Sequence, residues 1–344
     1  MNLARVGTPR MAAAPQRNGA QASLPVRSRA PARLRLGVVP TVAANHVHVV
    51  EMENGAAHAA ALAGAPPAVA SQPPPAPPGP VLSVMPPPAA YEQLALTGAT
   101  KARAPAWQML LQGAQAGAYL SFGATLMLVL GNSMPGLAAS NAGLHKLLCA
   151  LVFPIGLQMI ILGGGDLYTG NTFMGPLALC RGHINAAQLA GHWALSYAGN
   201  LTGCLAMVVA IGATGVLDGN SMLLKIAETK ANLPLGQCLA RAVLANWLVC
   251  VAVFHATAAT SLPGKLMGLW PPITAFIAMG LEHSIANMFL IPMGMFNGAN
   301  VTVSQMWLNN LLPVTLGNTI AGAVIMTGIY TACYRPRAVP ARAA

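Results

Sequence analysis

An ionisable pair in the middle of a long apolar stretch constrains this chain more than any other feature. Glu282 and His283 lie in the segment GLEHSIANMF, inside an otherwise apolar run over residues 266–296. A run of that length can cross a bilayer, and a titratable side chain at membrane depth is costly. The sequence therefore predicts a membrane protein whose functional site includes this pair.

The same pattern occurs earlier in the chain. The segment GDLYTGNTF, which starts at Gly165, carries an acid, an asparagine and a phenylalanine 116 positions upstream of those in the later segment. A second pair, GNLTG at Gly199 and GNTIAG at Gly317, lies 118 positions apart. Matching interruptions in two halves of a chain are typical of transporters and channels built from repeats, with the site where the breaks meet. The first three correspondences are Asp166 with Glu282, Asn171 with Asn287, and Phe173 with Phe289.

Six hydrophobic stretches are long enough to span a bilayer. Gly163, Gly164 and Gly165 cut the second, and the ionisable pair interrupts the fifth. We expect an all-α membrane protein with six transmembrane helices in an inverted 3+3 repeat, whose second and fifth spans are broken. The stretches cover about residues 107–130, 147–180, 187–211, 237–259 and 306–333, and the fifth begins after Lys265.

The amino-terminal third has a different composition. Residues 1–50 contain seven Arg and no Asp or Glu, which indicates an organelle transit peptide, with a disordered basic tail as the alternative. Residues 51–104 contain runs such as PPPAPPGP and are predicted to be a disordered Pro/Ala-rich linker. The channel domain is then expected over residues 105–335, followed by a tail over residues 336–344.

The distribution of basic residues predicts the orientation. Seven Lys and Arg fall on the side of the termini and three on the other, so the termini are expected on the positive side, which is the stroma in a plastid. The first group is Lys101, Arg103, Arg181, Lys265, Arg335, Arg337 and Arg342, and the second is Lys146, Lys225 and Lys230.

Several other classes of protein are not supported. The net charge of +11 comes without an aromatic-interleaved basic motif, so nucleic acid is not expected as a partner. The six cysteines form no CxxC pair and are expected to be small core residues rather than disulfides or metal ligands. Neither a GxSx turn nor HExxH is present, so we expect neither an enzyme nor a cofactor.

Four segments resemble the signature segments of the formate/nitrite transporter family: GGGDLYTGNTF, NWLVCVAV, GLEHSIANMF and NLLPVTLGNTIAG. The resemblance covers about residues 105–334, and the leader is similar to those of green-algal members of the chloroplast envelope, some assigned to nitrite and others to bicarbonate. It implies an aquaporin-like six-helix protomer in the membrane lipid. The protomers would form a homopentamer, with one pore each for small anions such as nitrite, formate or bicarbonate, together with protons.

The resemblance also implies roles for individual residues. His283 matches the central pore histidine, Thr169 a pore hydroxyl, Lys230 the vestibule lysine and Asn246 a residue that anchors the loop. Tyr168 and Leu281 depart from the Phe of bacterial members. Five apolar residues match constriction positions, without a division between the two expected constrictions: Phe153, Leu157, Leu167, Val249 and Phe276.

Each of these roles has a structural alternative. Thr169 can make a local turn contact, the apolar set can be ordinary packing, and Lys230 can be a solvated surface lysine. His192 and His255 are expected to be core histidines. The acids and asparagines of the breaks are expected to accept or donate structural hydrogen bonds rather than contact substrate. They are Asp166, Asn171, Glu282 and Asn287, together with the helix-packing pair Asn200 and Asn318.

The expected function is therefore passage of a small monovalent anion as its neutral acid or with a proton. An imidazole can donate, accept and titrate near physiological pH, which makes His283 the candidate for handling that proton. The resemblance favours nitrite, with bicarbonate next. A neutral-solute channel of the aquaporin kind is the alternative from another class, although it should carry an Asn-Pro-Ala-type pair at the breaks, where this chain has DLYTGN and EHSIAN.

Overall fold

The computed structural model describes residues 84–335, which are almost entirely helical. The predicted transit peptide, the linker before residue 84 and the tail lie outside the described residues. In chain order the helices are α1 (Pro87–Ala102), α2 (Ala106–Asn132), α3 (Pro135–Ser140), α4 (Ala142–Val152), α5 (Ile155–Gly163), α6 (Tyr168–Cys180), α7 (Ala186–Gly212), α8 (Ser221–Ala231), α9 (Leu235–Ala258), α10 (Leu262–Met279), α11 (Ser284–Phe296) and α12 (Val303–Tyr334).

The six predicted spans are confirmed. Five spans are each long and apolar enough to cross a membrane: α2, α4 together with α5, α7, α9 and α12. The sixth span consists of α10 and α11 and is bent by 49° between them. Helix α12 contains two π-helical segments, Met306–Leu311 and Ile320–Met326. Such segments inside an α-helix often occur at functional sites.

Glycines produce the two predicted breaks. Gly164 ends α5 with a φ of 75°, and Gly280 ends α10 with a φ of 69°. This left-handed conformation is strained for residues with a Cβ, so the chain can leave the helix here without penalty. Leu167 and His283 are extended residues that directly precede the second half-helices, α6 and α11. The two breaks are thus built in the same way.

Two asparagines tie the breaks to the neighbouring spans. The amide nitrogen of Asn200 donates to the carbonyl oxygens of Gly113 and Asp166, both at 2.9 Å. Asn318 does the same for Ala242 at 2.7 Å and Glu282 at 3.1 Å. Each half holds three spans, so the second half must run through the membrane upside down relative to the first. The predicted inverted repeat and the helix-packing role of both asparagines are confirmed.

Helix α1 corrects the expected linker, which was placed over residues 51–104. The Pro-rich run ends at the first turn of α1, and Ala90, Tyr91 and Leu94 are fully buried against the other helices. Before the helix, the Met85 N–H donates to the carbonyl of Ala258 at 2.7 Å. The linker prediction is wrong for residues 87–102 because a single buried stripe of mostly small residues gives a weak hydrophobic signal.

Helix α1 also has a counterpart in the second half. Lys101, near its end, lies 129 positions before Lys230, near the end of α8, and both helices end at matching alanines. The repeat therefore comprises a short helix followed by three spans. Three crossings separate the two lysines, so they approach the membrane centre from opposite sides.

The first and third spans approach each other at glycines. Gly117 of α2 and Gly203 of α7 face the backbone of the partner helix, and a Cβ on Gly203 would overlap the carbonyl oxygen of Ala114. Close backbone approach through small residues is the usual way in which transmembrane helices pack.

We expect Gly203→Ala to destabilise the protein by about 1–3 kcal/mol, since an extra methyl group has no space there. The measurement is the thermal unfolding temperature of detergent-purified protein. Gly191→Ala in the same helix is the control, because a Cβ there meets no atom within 4 Å. Equal unfolding temperatures for both variants would contradict the close approach.

Candidate functional site

Three cavities are lined in part by residues of the two breaks. A central cavity of about 10 Å³ is enclosed by seven apolar side chains and His283, and this volume is at the lower limit for one water molecule. Its apolar lining is Leu120, Phe153, Leu157, Leu167, Val249, Ile273 and Phe276.

All five predicted constriction residues line this cavity. The rings of Phe153 and Phe276 meet edge to face with centroids 5.8 Å apart. Sequence reasoning missed Leu120 and Ile273, which are ordinary apolar residues of their helices and give no separate signal. The open volume that remains between these side chains is too small for any solute larger than water.

Two wider vestibules lie on opposite sides of the central cavity. The Lys230-side vestibule has a volume of about 510 Å³ and is lined by Lys146, Lys225, Lys230 and Arg241 among other residues. The Lys101-side vestibule has about 390 Å³ and is lined by Lys101 and Lys265. Phe276 and His283 line both the central cavity and the Lys230-side vestibule, so they stand at the boundary between the two.

His283 is held by two hydrogen bonds. Its Nδ1 accepts from the N–H of Ala286 at 3.1 Å, which caps α11, and its Nε2 lies 2.9 Å from Thr169 Oγ1. A neutral ring with its hydrogen on Nε2 satisfies both bonds. Thr169 is fully buried and belongs to none of the three cavity linings, so it contacts His283 from behind the cavity wall.

The repeat places Leu167 and His283 at equivalent positions, 116 residues apart, each directly before its half-helix. Both line the central cavity. One half therefore contributes an apolar side chain to the constriction, and the other contributes the imidazole. This difference gives the path one polar group in an apolar wall.

A buried carboxylate organises the second break. Glu282 accepts hydrogen bonds from Lys230 Nζ at 2.9 Å, Asn287 Nδ2 at 2.7 Å and Asn310 Nδ2 at 3.1 Å. The predicted structural roles of Glu282 and Asn287 agree with these contacts. The lysine is not a solvated surface residue, because its ammonium group is paired with Glu282.

The first break has the same arrangement. Asp166 accepts from Lys101 Nζ at 3.1 Å and Asn171 Nδ2 at 2.9 Å, and His192 Nε2 lies 2.8 Å from its second oxygen. His192 is buried, as expected, but as a partner of this acid. Sequence reasoning did not recognise Lys101, His192 or Asn310 as partners of the buried acids. Their offsets would have shown it, since Lys101 lies 129 positions before Lys230 and His192 lies 118 positions before Asn310.

Asn246 lies outside the cavity linings and fixes the broken span. Its amide nitrogen donates to Thr172 Oγ1 at 2.9 Å and to the carbonyl of Asn318 at 2.6 Å. Asn246 therefore makes the expected anchoring contacts, but it does not line any of the three cavities. His255 is exposed and bonds to the Gly268 carbonyl through Nδ1 at 3.1 Å, so its assignment as a core histidine is wrong.

The site is an apolar constriction with one imidazole, and it lies between two cationic vestibules on the broken spans of an inverted repeat. These features together define a multi-pass membrane channel or transporter for small solutes. Comparison with known proteins gives the family. Residues 88–332 match the formate/nitrite transporter family, and the chain belongs to it.

Individual relatives agree. A probable formate transporter from Methanothermobacter thermautotrophicus is 39% identical over 252 residues, which is 68% of this chain and 91% of the relative. Among solved structures, an FNT family ion channel matches with a TM-score of 0.66 and 30% identity, covering 71% of this chain and 98% of its own. A pentameric formate channel with formate bound matches with a TM-score of 0.58 and 30% identity, covering 67% and 97%. The fold is the aquaporin-like fold of these channels.

We expect Glu282→Ala to destabilise the protein by about 3–5 kcal/mol, because it leaves Lys230 and the Asn287 amide without their shared acceptor. Glu282→Gln keeps an acceptor and removes only the charge, so its effect should be smaller. Unfolding temperatures of the purified variants test this order. Asp218→Asn, at an exposed acid, is the control. A Glu282→Ala protein as stable as the control would show that the cluster does not hold the break.

Proposed function

We propose that this chain is a channel for small monovalent anions such as nitrite and formate, which pass as the neutral acid or together with a proton. The observation that carries the proposal is the position of His283, the single titratable side chain among those lining the central cavity. The relatives described as formate channels or transporters support the same substrate class.

The physical problem of such a path is desolvation. A bare anion loses its hydration between apolar walls, which costs many times more than the transfer of a neutral acid of the same size. The vestibules favour the anion and the constriction favours the neutral form. A proton must therefore join the anion at the boundary between them, where His283 and water are both within reach.

The other residues divide the remaining tasks. Lys146, Lys225 and Arg241 line the Lys230-side vestibule without an acidic partner within 4.0 Å in the described part of the chain, so their charge acts on the incoming anion. Lys230 adds to this field but mainly holds Glu282. Thr169 orients the His283 ring, and Asn246 fixes the half-helix that carries Thr169.

We propose nitrite as the preferred anion, on the resemblance of the signature segments, and a homopentamer, as in the pentameric formate channel. The acid-free leader supports a location in the chloroplast envelope with stromal termini. The decisive experiment is competitive flux of nitrite, formate and bicarbonate in proteoliposomes, with water permeability measured in parallel. Water flux without anion flux would identify a neutral-solute channel instead.

We expect His283→Asn to lower proton-coupled flux at least about tenfold, since one lost buried hydrogen bond of about 1.4 kcal/mol gives that factor. Asn can still cap α11 but cannot take up a proton. Wild-type flux should rise as the pH falls on the side from which the anion enters, because the neutral acid becomes more abundant. The measurement is anion flux with simultaneous proton movement in proteoliposomes.

Two further variants serve as controls for that experiment. Thr169→Val removes the hydroxyl that orients the ring and should lower flux, whereas Thr169→Ser keeps it and should retain most of the flux. An unchanged rate and pH dependence in folded His283→Asn protein would show that the imidazole handles no proton.

We expect Lys225→Gln to weaken anion uptake from its own side about twofold at low salt, the effect of one charge at about 10 Å in water. The loss should disappear at about 1 M salt, where charges are screened. Initial flux at low and saturating anion concentration measures the effect. Lys265→Gln is the mirror control and should act only from the Lys101 side, so equal losses from both sides would contradict long-range attraction.

A further inference from the structure

The Lys230-side vestibule collects positive charge from three helices. Lys146 of α4, Lys225 of α8 and Arg241 of α9 line it in addition to Lys230. Glu282 is the one acid among the described residues that line it, and Lys230 pairs with that acid at 2.9 Å. Three cations therefore face this space without an acidic partner within 4.0 Å in the described part of the chain.

Two of these cations stand next to the second break. The ammonium group of Lys146 lies 3.8 Å from the position that a Cβ on Gly280 would take. The carbonyl of Arg241 accepts from the N–H of Glu282 at 3.5 Å, and the Arg241 side chain is half-buried in a membrane-spanning helix. An arginine inside a span usually faces a water-filled cavity and marks a functional site. Positive charge is thus present at the inner end of the vestibule and not only at its rim.

The first half of the repeat lacks this charge. Gln112 corresponds to Arg241, because its carbonyl accepts from the N–H of Asp166 at 3.0 Å in the same way. The two positions are 129 residues apart, the same offset as between the lysines of the two acid clusters. The Lys101-side vestibule is lined by Lys101, which is paired with Asp166, and by Lys265. Among the described residues it therefore presents one unpaired cation, where the other vestibule presents three.

The sizes of the cavities decide what this charge can hold. The Lys230-side vestibule has a volume of about 510 Å³, which lies in the range of pockets that bind whole small molecules. A compact anion with several charged oxygens can enter it and contact more than one cation. One proton neutralises a monovalent anion but leaves a multivalent one charged, so the apolar constriction retains the multivalent anion in the vestibule.

We propose that the Lys230-side vestibule is a binding site for compact multivalent oxyanions, phosphorylated or polycarboxylate, which occupy it without being transported and inhibit anion entry from that side. Arg241 supplies the planar N–H donors that match carboxylate and phosphate oxygens, and Lys146 and Lys225 supply point charges. The inhibition rests on the anion-channel function given above, whereas the binding can be measured without transport.

Elementary electrostatics gives the expected preference. One pair of opposite unit charges about 10 Å apart in water favours binding about twofold. Two additional negative charges that face three cations therefore favour a trivalent over a monovalent anion by about 60-fold at low salt. Loss of one cation should weaken the binding of a trivalent anion about eightfold and that of a monovalent anion about twofold. Added salt should reduce both effects.

Binding is tested by calorimetry on the detergent-purified full chain in low-salt buffer without divalent cations. The probes are pyrophosphate and citrate, which are both trivalent near neutral pH, and formate as the monovalent control. Pyrophosphate and citrate should bind about 60-fold more tightly than formate. Binding of both supports a site for either source of oxyanion, and binding of one alone assigns the site to phosphates or to carboxylates.

Matched variants locate the site. Arg241→Gln, which gives the second half the residue of the first, should weaken pyrophosphate binding about eightfold. Lys146→Gln serves the same purpose if that variant does not fold. Lys265→Gln, in the opposite vestibule, is the control and should bind pyrophosphate as the wild type does. A pyrophosphate affinity no higher than that of formate, or one unchanged by both Lys230-side substitutions, overturns the proposal.

The effect on transport is tested from one side at a time. Vesicles are sorted by a carboxyl-terminal affinity tag, and pyrophosphate is added together with formate. From the Lys230 side it should raise the formate concentration for half-maximal flux and leave the maximal rate unchanged, because the two anions compete for one space. From the Lys101 side, with one unpaired cation, equal inhibition should need about 60-fold more pyrophosphate. Inhibition that is absent, or equal from both sides, overturns the proposal.

The proposed function and this site can fail separately. Vesicles that carry no formate even without pyrophosphate would refute the anion-channel function. The calorimetric titration would still decide whether the vestibule binds multivalent oxyanions. The two failures are therefore distinguishable.

Discussion

The hydrogen bonds to two buried carboxylates hold the rest of this structure in place. Each break leaves non-helical backbone at membrane depth, which is tolerated only where protein groups satisfy it. Asp166 and Glu282 accept from the lysine and asparagine side chains around them, and Asn200 and Asn318 bond their main-chain carbonyls. Leu167 and His283, which line the central cavity, follow directly after these acids, so their positions depend on the same bonds.

The fold was largely predictable because its signal is repeated. Two interrupted spans at a fixed offset gave the architecture, and His283 stood out as a titratable group in an apolar run. Pairings across the chain were harder to predict. The partner of Lys230 lies 52 residues away, and nothing in the local sequence distinguishes a lysine that holds a buried acid from one in water. Helix α1 was missed because small residues bury little area, although the contact is complete.

The constriction combines two requirements that oppose each other. Apolar walls exclude water and bare ions, which prevents leakage. They also raise the free energy of desolvation that the substrate must overcome. Under the proposed function, a single imidazole at the boundary lowers that cost for a species that can exchange a proton and leaves it unchanged for chloride-like ions. Selection would then be made by acid–base chemistry as well as by size.

The correspondence between α1 and α8 has a consequence for the history of the fold. If the duplicated unit began with a short helix and its lysine, an ancestral gene encoded four helical elements and an odd number of spans. Two such chains could pair only if copies of the same product inserted in opposite orientations. Because both copies lie in one chain, matching positions can carry different residues: Leu167 and His192 in the first half stand where the second half has His283 and Asn310.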